Sequence, residues 1–272
     1  MPDSNTEQQR WKQEAEFFDK EAQHAMESLT KVDPKTIERY GKLRRRRFNK
    51  EYRFRVLGSL SGKKVLDVGC GDGINAMNLA LLGAFVTGID ISPGAIEVAK
   101  RRAAINGVSD RVRFVCSPLE TADIEKGAFD IIWCDAILHH LIADLDPIIT
   151  KIVSWAKPGG IIILGEPVSL SKALRKFRMM LPIKTHATPD ERPLERAELD
   201  IVGRHLANMQ IRYFSIFSRL SRFVLIDMNY ERSSAPRRMI YDLLSFADYA
   251  ILSVPIFQPL AGTAVIFGRA RD

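Results

Sequence analysis

From Lys64 to Gly165 the chain alternates two kinds of apolar pattern. Five short runs, Lys64–Val68, Phe85–Ile89, Val112–Cys116, Asp130–Cys134 and Ile161–Gly165, are rich in β-branched residues and nearly continuous in apolar ones. Such runs mark strands buried on both faces. Between them, stretches such as Ile74–Leu82 and Gly94–Ile105 repeat their apolar positions at helical spacing. The alternation predicts an α/β fold, a doubly wound and mostly parallel sheet with helices on both sides.

The flanks read differently. Residues 7–60 predict two or three helices: Glu14–Met26 is polar with Phe17, Phe18 and Ala25 interspersed, and Asp33-Pro34 reads as a cap followed by proline at the first helical position. After Glu166-Pro167 the alternation stops. Residues 168–206 are basic, Met-rich and helical in pattern, broken by Pro182, Pro189 and Pro193. Gln210–Phe217 and Gly262–Arg269 read as two further strands around an insertion at 219–260, and Lys157-Pro158-Gly159-Gly160 as a helix stop and turn. The expected organisation is an N-terminal helical cover (1–60), a core (61–167) and a cap with the last two strands (168–272).

Composition narrows the class. With 272 residues, 46% apolar and 27% charged, the chain is an ordinary globular one with a large core, which excludes wholesale disorder, collagen and coiled coil. Cys70, Cys116 and Cys134 are too few and too widely spaced for a disulfide framework or a zinc knuckle. They are expected to be buried strand-end residues in a reducing, cytoplasmic compartment, and no metal is expected. The N-terminus carries no apolar run and predicts no secretory signal. Tyr249 to Gly268 is free of charge, but Pro255, Pro259 and Gly262 interrupt it. It is expected to be a greasy lid or a membrane-touching hairpin rather than a spanning helix.

The net charge of +7 is local: Lys42–Arg55 carries eight basic residues, including Arg44–Arg47, against the single acid Glu51, and the rest of the chain balances to zero. A patch, not a basic protein, is implied.

The chemistry begins at Val65-Leu66-Asp67-Val68-Gly69-Cys70-Gly71-Asp72-Gly73, a strand that ends in a glycine loop and runs into a helix. Such a loop brings backbone N–H groups and the positive end of a helix close to a ligand. Asp90 ends the second strand, where a carboxylate can accept from two ribose hydroxyls. The loop lacks both the Gly-x-Gly-x-x-Gly of dinucleotide binding and the Walker lysine. Asp67 would repel a pyrophosphate and attract an ammonium. A cationic nucleoside fits best, and S-adenosylmethionine is the common one.

In these segments, together with Phe114–Thr121, Phe129–Leu141 and Lys157–Gly160, the chain resembles the class I S-adenosylmethionine-dependent methyltransferases over about residues 63–167. The resemblance implies a Rossmann-like seven-stranded sheet with an antiparallel last strand. It places Asp67, Gly69, Cys70, Gly71 and Gly73 at the methionine end, Asp90 on the ribose, Ile91 against the adenine and Ser117-Pro118-Leu119 along its edge. Cys134 and Asp135 would close over the sulfonium side. Many relatives carry an acid where this chain has Pro118, so the adenine amino group would be met by Ser117, Glu120 or backbone.

His139, in Ala136-Ile137-Leu138-His139-His140-Leu141, is the candidate base or orienting group; one of the two adjacent histidines must point away from the site. Glu166 is the candidate for a substrate hydrogen bond at the end of the fifth strand. His24, His186 and His205 lie on the covers and are expected at the surface. The aromatic and methionine residues of 168–260 suggest an adaptable apolar pocket for a hydrophobic small molecule, with O- or N-methylation favoured. Nucleic acid is disfavoured: the Asn/Asp-Pro-Pro-Tyr/Phe motif is absent and charge outside Lys42–Arg55 is balanced. An RNA acceptor clamped by that segment stays an alternative. So do a phosphate-bearing lipid-linked or carrier-bound acceptor, contact of that segment with an anionic membrane, with Lys172, Arg175, Lys176 and Arg178 adding to the patch, and a protein that binds the cofactor without transfer. Oligomeric state is left open.

Overall fold

The computed structural model describes residues 4–42, 48–171 and 192–271. Three helices lead in: α1 (Ser4–Glu27), α2 (Pro34–Gly41) and α3 (Asn49–Leu57). Then come β1 (Lys64–Val68), α4 (Ile74–Leu81), β2 (Phe85–Asp90), α5 (Pro93–Asn106), β3 (Val112–Cys116), β4 (Phe129–Asp135), α6 (Leu145–Trp155) and β5 (Ala156–Pro167). The C-terminal part holds α7 (Arg196–His205), β6 (Leu206–Phe214), α8 (Ser221–Val224), α9 (Ala235–Ile251) and β7 (Thr263–Ala270).

The seven strands form one sheet in the order β3-β2-β1-β4-β5-β7-β6. All neighbours among β1 to β5 are parallel, and β7 runs antiparallel between β5 and β6. Because successive strand residues point to opposite faces, the core is two cores. Leu66, Val68, Ile132, Cys134, Ile162 and Leu164 meet α6 and α7 on one side. Val65, Ile131, Trp133 and Ile163 meet α3 and α4 on the other.

Four differences from the sequence reading have local causes. β6 starts earlier than Gln210, at Leu206, which pairs with Ala270, and ends earlier than Phe217 because Asp248, buried on α9, accepts the N–H groups of Ile216, Phe217 and Ser218 and takes them out of the ladder. β5 begins already at Ala156, opposite Phe129, so Lys157–Gly160 is drawn into the edge of the strand, with a register shift before Ile131 and Ile161 pair. Tyr249–Gly268 is no single hairpin: it divides between the end of α9, a 3-10 turn at Pro255–Leu260 and β7. Its apolar second half is explained by β7 lying between two other strands. Finally, Cys70 and Cys134 are buried but Cys116, at the end of β3, is exposed. No helix among the described residues is long and apolar enough to cross a membrane.

α1 is held against the sheet by polar contacts. Ser92 caps α5 by accepting from Ala95 N and donates its hydroxyl to Asp19 of α1; Gly94 N donates to the same carboxylate. Arg10 reaches Glu120 and Asp144 on the loops after β3 and β4.

Candidate functional site

At the carboxyl ends of β1, β2 and β4 lies a crevice of about 190 Å³, lined by Gly69, Gly71, Asp90, Ile91, Ser117, Pro118, Leu119 and Asp135. The glycine loop is what opens it. Gly69 has φ 66°, and a Cβ there would fall 2.7 Å from the Ile137 side chain. Gly71 has φ 50° with nothing within 4 Å of where its Cβ would be, so the side-chain face of its Cα is open. Asp90 fixes this loop: its carboxylate accepts from Gly71 N at 2.8 Å and Ser92 N at 2.9 Å. Burial raises the Asp90 pKa, opposed by those backbone hydrogen bonds.

Beneath the loop, Asp67 is fully buried, and neither carboxylate oxygen has a hydrogen-bond partner among the described residues. Burial, with nearby Asp135 adding to it, pushes its pKa well above the carboxylate range. A buried acid with two vacant acceptor atoms is a costly arrangement without a cation. The ammonium of S-adenosylmethionine is a group of the required sign, and in this respect the residues fit the cofactor.

Asp67 lies behind the crevice wall and does not line it, and neither do Cys70, Gly73 and Cys134. The Cys134 thiol sits in the core, and burial raises the pKa of both Cys70 and Cys134, so neither is an activated nucleophile. Ser117 does not point its hydroxyl outward; it donates to Pro118 O. The sequence reading missed the lid. Glu14 and Phe18 of α1 line the crevice together with Glu120, Ile137, His140 and Leu141. The only hint in the sequence was the pair of phenylalanines on an otherwise polar helix.

The adjacent histidines take different partners, although their rings lie 4.1 Å apart. His140 faces the crevice with its ring 5.8 Å from that of Phe18. His139 turns to Glu166, with Nδ1 3.0 Å from Oε2, while Glu166 Oε1 accepts from Ile137 N and Leu138 N. The buried Glu166 thus pins the turn that follows β4. The turn opens at Ala136, a non-glycine residue at φ 59° whose N–H donates to Gly165 O. Strain of this kind concentrates at functional sites. His24 is exposed, His205 pairs with Asp146, and His186 lies outside the described residues.

A second, larger cavity of about 700 Å³ touches the crevice at Asp135 and Ala136. Its walls come from α2, α3, the ends of β4 and β5, and the segment before α9. The expected apolar pocket is not what lines it. Tyr230, Tyr241 and Met228 are present, but Lys31, Arg39, Lys50, Arg53, Arg102 and Arg232 share the lining with Asp33, Asp135, Glu166 and Glu231. Phe214 is core, while Phe217, Phe223, Met239, Phe246 and Phe257 are exposed to solvent. Phe177, Met179, Met180 and Leu181, like Lys172, Arg175, Lys176 and Arg178, lie outside the described residues.

The basic segment divides in the same way. Arg44–Arg47 lies outside the described residues, but Lys50 and Arg53 turn inward to Asp135 at 3.5 and 2.8 Å. Against the burial that would raise it, Arg53 and Lys50 hold the Asp135 carboxyl far below its usual range. Arg39 bonds Glu51 and Glu231, tying the N-terminal cover to the cap. Two lining amides, Asn49 and Asn78, have buried Oδ1 atoms with no hydrogen-bond partner among the described residues.

A seven-stranded sheet of this order, with a glycine loop after β1 and an acid closing β2, defines a class I S-adenosylmethionine-dependent methyltransferase. The chain matches the methyltransferase-domain family over residues 59–198 and belongs to it. It is 30% identical over 202 residues to a ubiquinone biosynthesis O-methyltransferase of Chromobacterium violaceum, covering 65% of this chain and 84% of that one. Among solved structures it resembles the Haemonchus contortus phosphoethanolamine N-methyltransferase 2 in complex with S-adenosyl-L-methionine (TM-score 0.54, 19% identity, 87% of this chain and 57% of that one). It also resembles the [4+2]-cyclase SpnF (TM-score 0.52, 23% identity, 78% and 76%). The cyclase illustrates that the fold by itself does not fix the reaction. S-adenosylmethionine is the cofactor of this enzyme.

Proposed function

We propose that the protein is an O-methyltransferase whose acceptor is a small molecule with a hydroxyl-bearing polar head. The observation that carries the reading is the junction of two cavities at Asp135 and Ala136, one at the glycine loop and Asp90 and one lined by paired charges and two amide oxygens without partners among the described residues. The O-methyltransferase name of the Chromobacterium relative supports oxygen over nitrogen.

When bound, the cofactor supplies a methyl group on a positively charged sulfur. The chain then has to place the acceptor oxygen in line with that methyl and accept a proton. Placement is the larger contribution, because holding two reactants in near-attack geometry removes most of the entropy of encounter. Asn49 and Asn78 offer acceptors to a hydroxyl, and Lys50 and Arg53 keep Asp135 anionic at the junction. Asp135, with its lowered pKa, is a poor base. His139 suits that role better, with Glu166 on Nδ1 and Nε2 left to take the proton; its ring lines neither cavity but lies 4.1 Å from that of His140, which lines the crevice. Glu166 positions His139 and the Ile137–Leu138 turn.

The test is methyl transfer from labelled S-adenosylmethionine to matched catechol, phenol and aniline acceptors, alongside calorimetric binding of S-adenosylhomocysteine. Transfer to the hydroxyl acceptors with Asp90→Ala abolishing cofactor binding supports the reading. Cofactor binding with transfer confined to the amine would overturn the choice of oxygen.

A further inference from the structure

Helix α9 carries apolar side chains on both faces: on the inner one Tyr241 stacks on buried Phe48 and Tyr249 packs against the core. Its side chains at Ser245 and Asp248 are buried, while Met239, Leu243, Phe246 and Ala250 are exposed. Positions 239, 243, 246 and 250 follow the i, i+4, i+7, i+11 spacing of a single stripe, opposite the inner face. Met239 and Leu243 are 68% and 67% exposed. The rest of the cap follows suit: of fifteen large apolar residues exposed among the described residues, thirteen fall between 217 and 260, with Ile256 at 77% and Phe223 at 74%. Scattered surface leucines need no explanation, but a whole stripe on one helix within such a concentration does.

The charges of the cap select the occupant. Arg222, Arg232 and Arg237 are exposed and Arg238 partly so. The acids of the same stretch are largely withdrawn: Asp248 caps the 216–218 turn, Asp242 accepts from Tyr230 Oη, and Glu231 pairs with Arg39. Only Asp227 is an exposed acid. A second copy docked through this face by a two-fold axis would set arginine against arginine. An anionic bilayer surface matches both parts: its headgroups attract the arginines and its acyl boundary takes the methionine, leucine and phenylalanine side chains.

We infer that α9 and the cap around it form a peripheral docking face for membranes bearing anionic lipid. The inference does not depend on which acceptor is methylated. Its test is sedimentation of the full chain with vesicles of phosphatidylcholine alone or mixed equally with phosphatidylglycerol. The parent is expected to partition at least tenfold better onto the mixed vesicles. Met239→Glu/Leu243→Glu should lose at least tenfold, and Arg222→Gln/Arg237→Gln should lose most of the preference for phosphatidylglycerol. Both variants change exposed positions and should bind S-adenosylhomocysteine as the parent does, which establishes that they fold. Equal partitioning onto the two vesicle types, or none, overturns the inference. So does a dimer in analytical ultracentrifugation that Met239→Glu/Leu243→Glu converts to monomer, since the stripe would then belong to a second copy.

Discussion

The Arg53 guanidinium lies 2.8 Å from the Asp135 carboxylate and 4.5 Å over the ring of Trp133. This places a buried arginine of an N-terminal helix between the sheet and the wall that the two cavities share. Removing it leaves Asp135 short of its main counter-charge. Breaking a buried pair from one side costs about 3–5 kcal/mol. Arg53→Met is therefore expected to lower the urea midpoint of unfolding. The loss should shrink in Arg53→Met/Asp135→Asn, which removes both charges.

The same pair sets an acid limit. Asp135 has a folded pKa below its ordinary 3.8, so the stabilisation it confers is complete above about pH 4 and is lost as pH falls below that toward the folded value. Urea melts between pH 6 and pH 2 should show the parent losing stability in the lower half of that range, with a shallower slope in Asp135→Asn.

Asp67 has the opposite sign. Its folded pKa lies above 3.8, so the ligand-free fold is disfavoured increasingly as pH rises from that value. Asp67→Asn should raise the melting temperature of the ligand-free protein at pH 7, with the gain fading toward pH 4. The same variant should bind S-adenosylhomocysteine at least tenfold more weakly, because the ammonium loses its counter-charge. Calorimetry in two buffers of different ionisation enthalpy should also show proton release on binding by the parent and none by Asp67→Asn.

His139 and Glu166 should separate in their effects. His139→Ala is expected to lower kcat by a factor of about 10² to 10⁴, the usual range for a general base, with cofactor affinity preserved. Glu166→Ala strands two N–H groups, one of them on buried Leu138, each costing about 1–3 kcal/mol when left unsatisfied. It should depress the melting temperature as well as turnover. Equal kcat in the parent and His139→Ala at every pH would remove His139 from the chemistry.

The α1 lid gives a further measurement. Asp19→Ala removes the acceptor for Ser92 Oγ and Gly94 N. Hydrogen bonds to a charged group contribute about 1.5–3 kcal/mol each. S-adenosylhomocysteine affinity should fall about tenfold or more, with α1 becoming the first site of limited proteolysis.

What could be read from the sequence was whatever is decided locally. Lys64–Val68 and Val112–Cys116 are strands with the expected bounds because their apolar runs end in turns. Asp67, Gly69, Gly71 and Asp90 form one strand, loop and strand end, so spacing alone locates them. Long-range contacts were not legible. The end of β6 is set by Asp248, about thirty residues further on. Lys50 and Arg53 read as part of a basic surface patch, yet Asp135, which no local pattern links to them, draws them inward. The cap was read as a pocket because composition reports how many apolar side chains exist, not which way they face.

The two cavities meet only along Asp135 and Ala136, and each has its own cover: α1 over one, α2 with the cap over the other. With the acceptor in the second cavity, as proposed, spent nucleoside and methylated product can each leave without the other. Initial-rate plots with either reactant varied should accordingly give intersecting lines, with product inhibition patterns of random addition rather than a compulsory order.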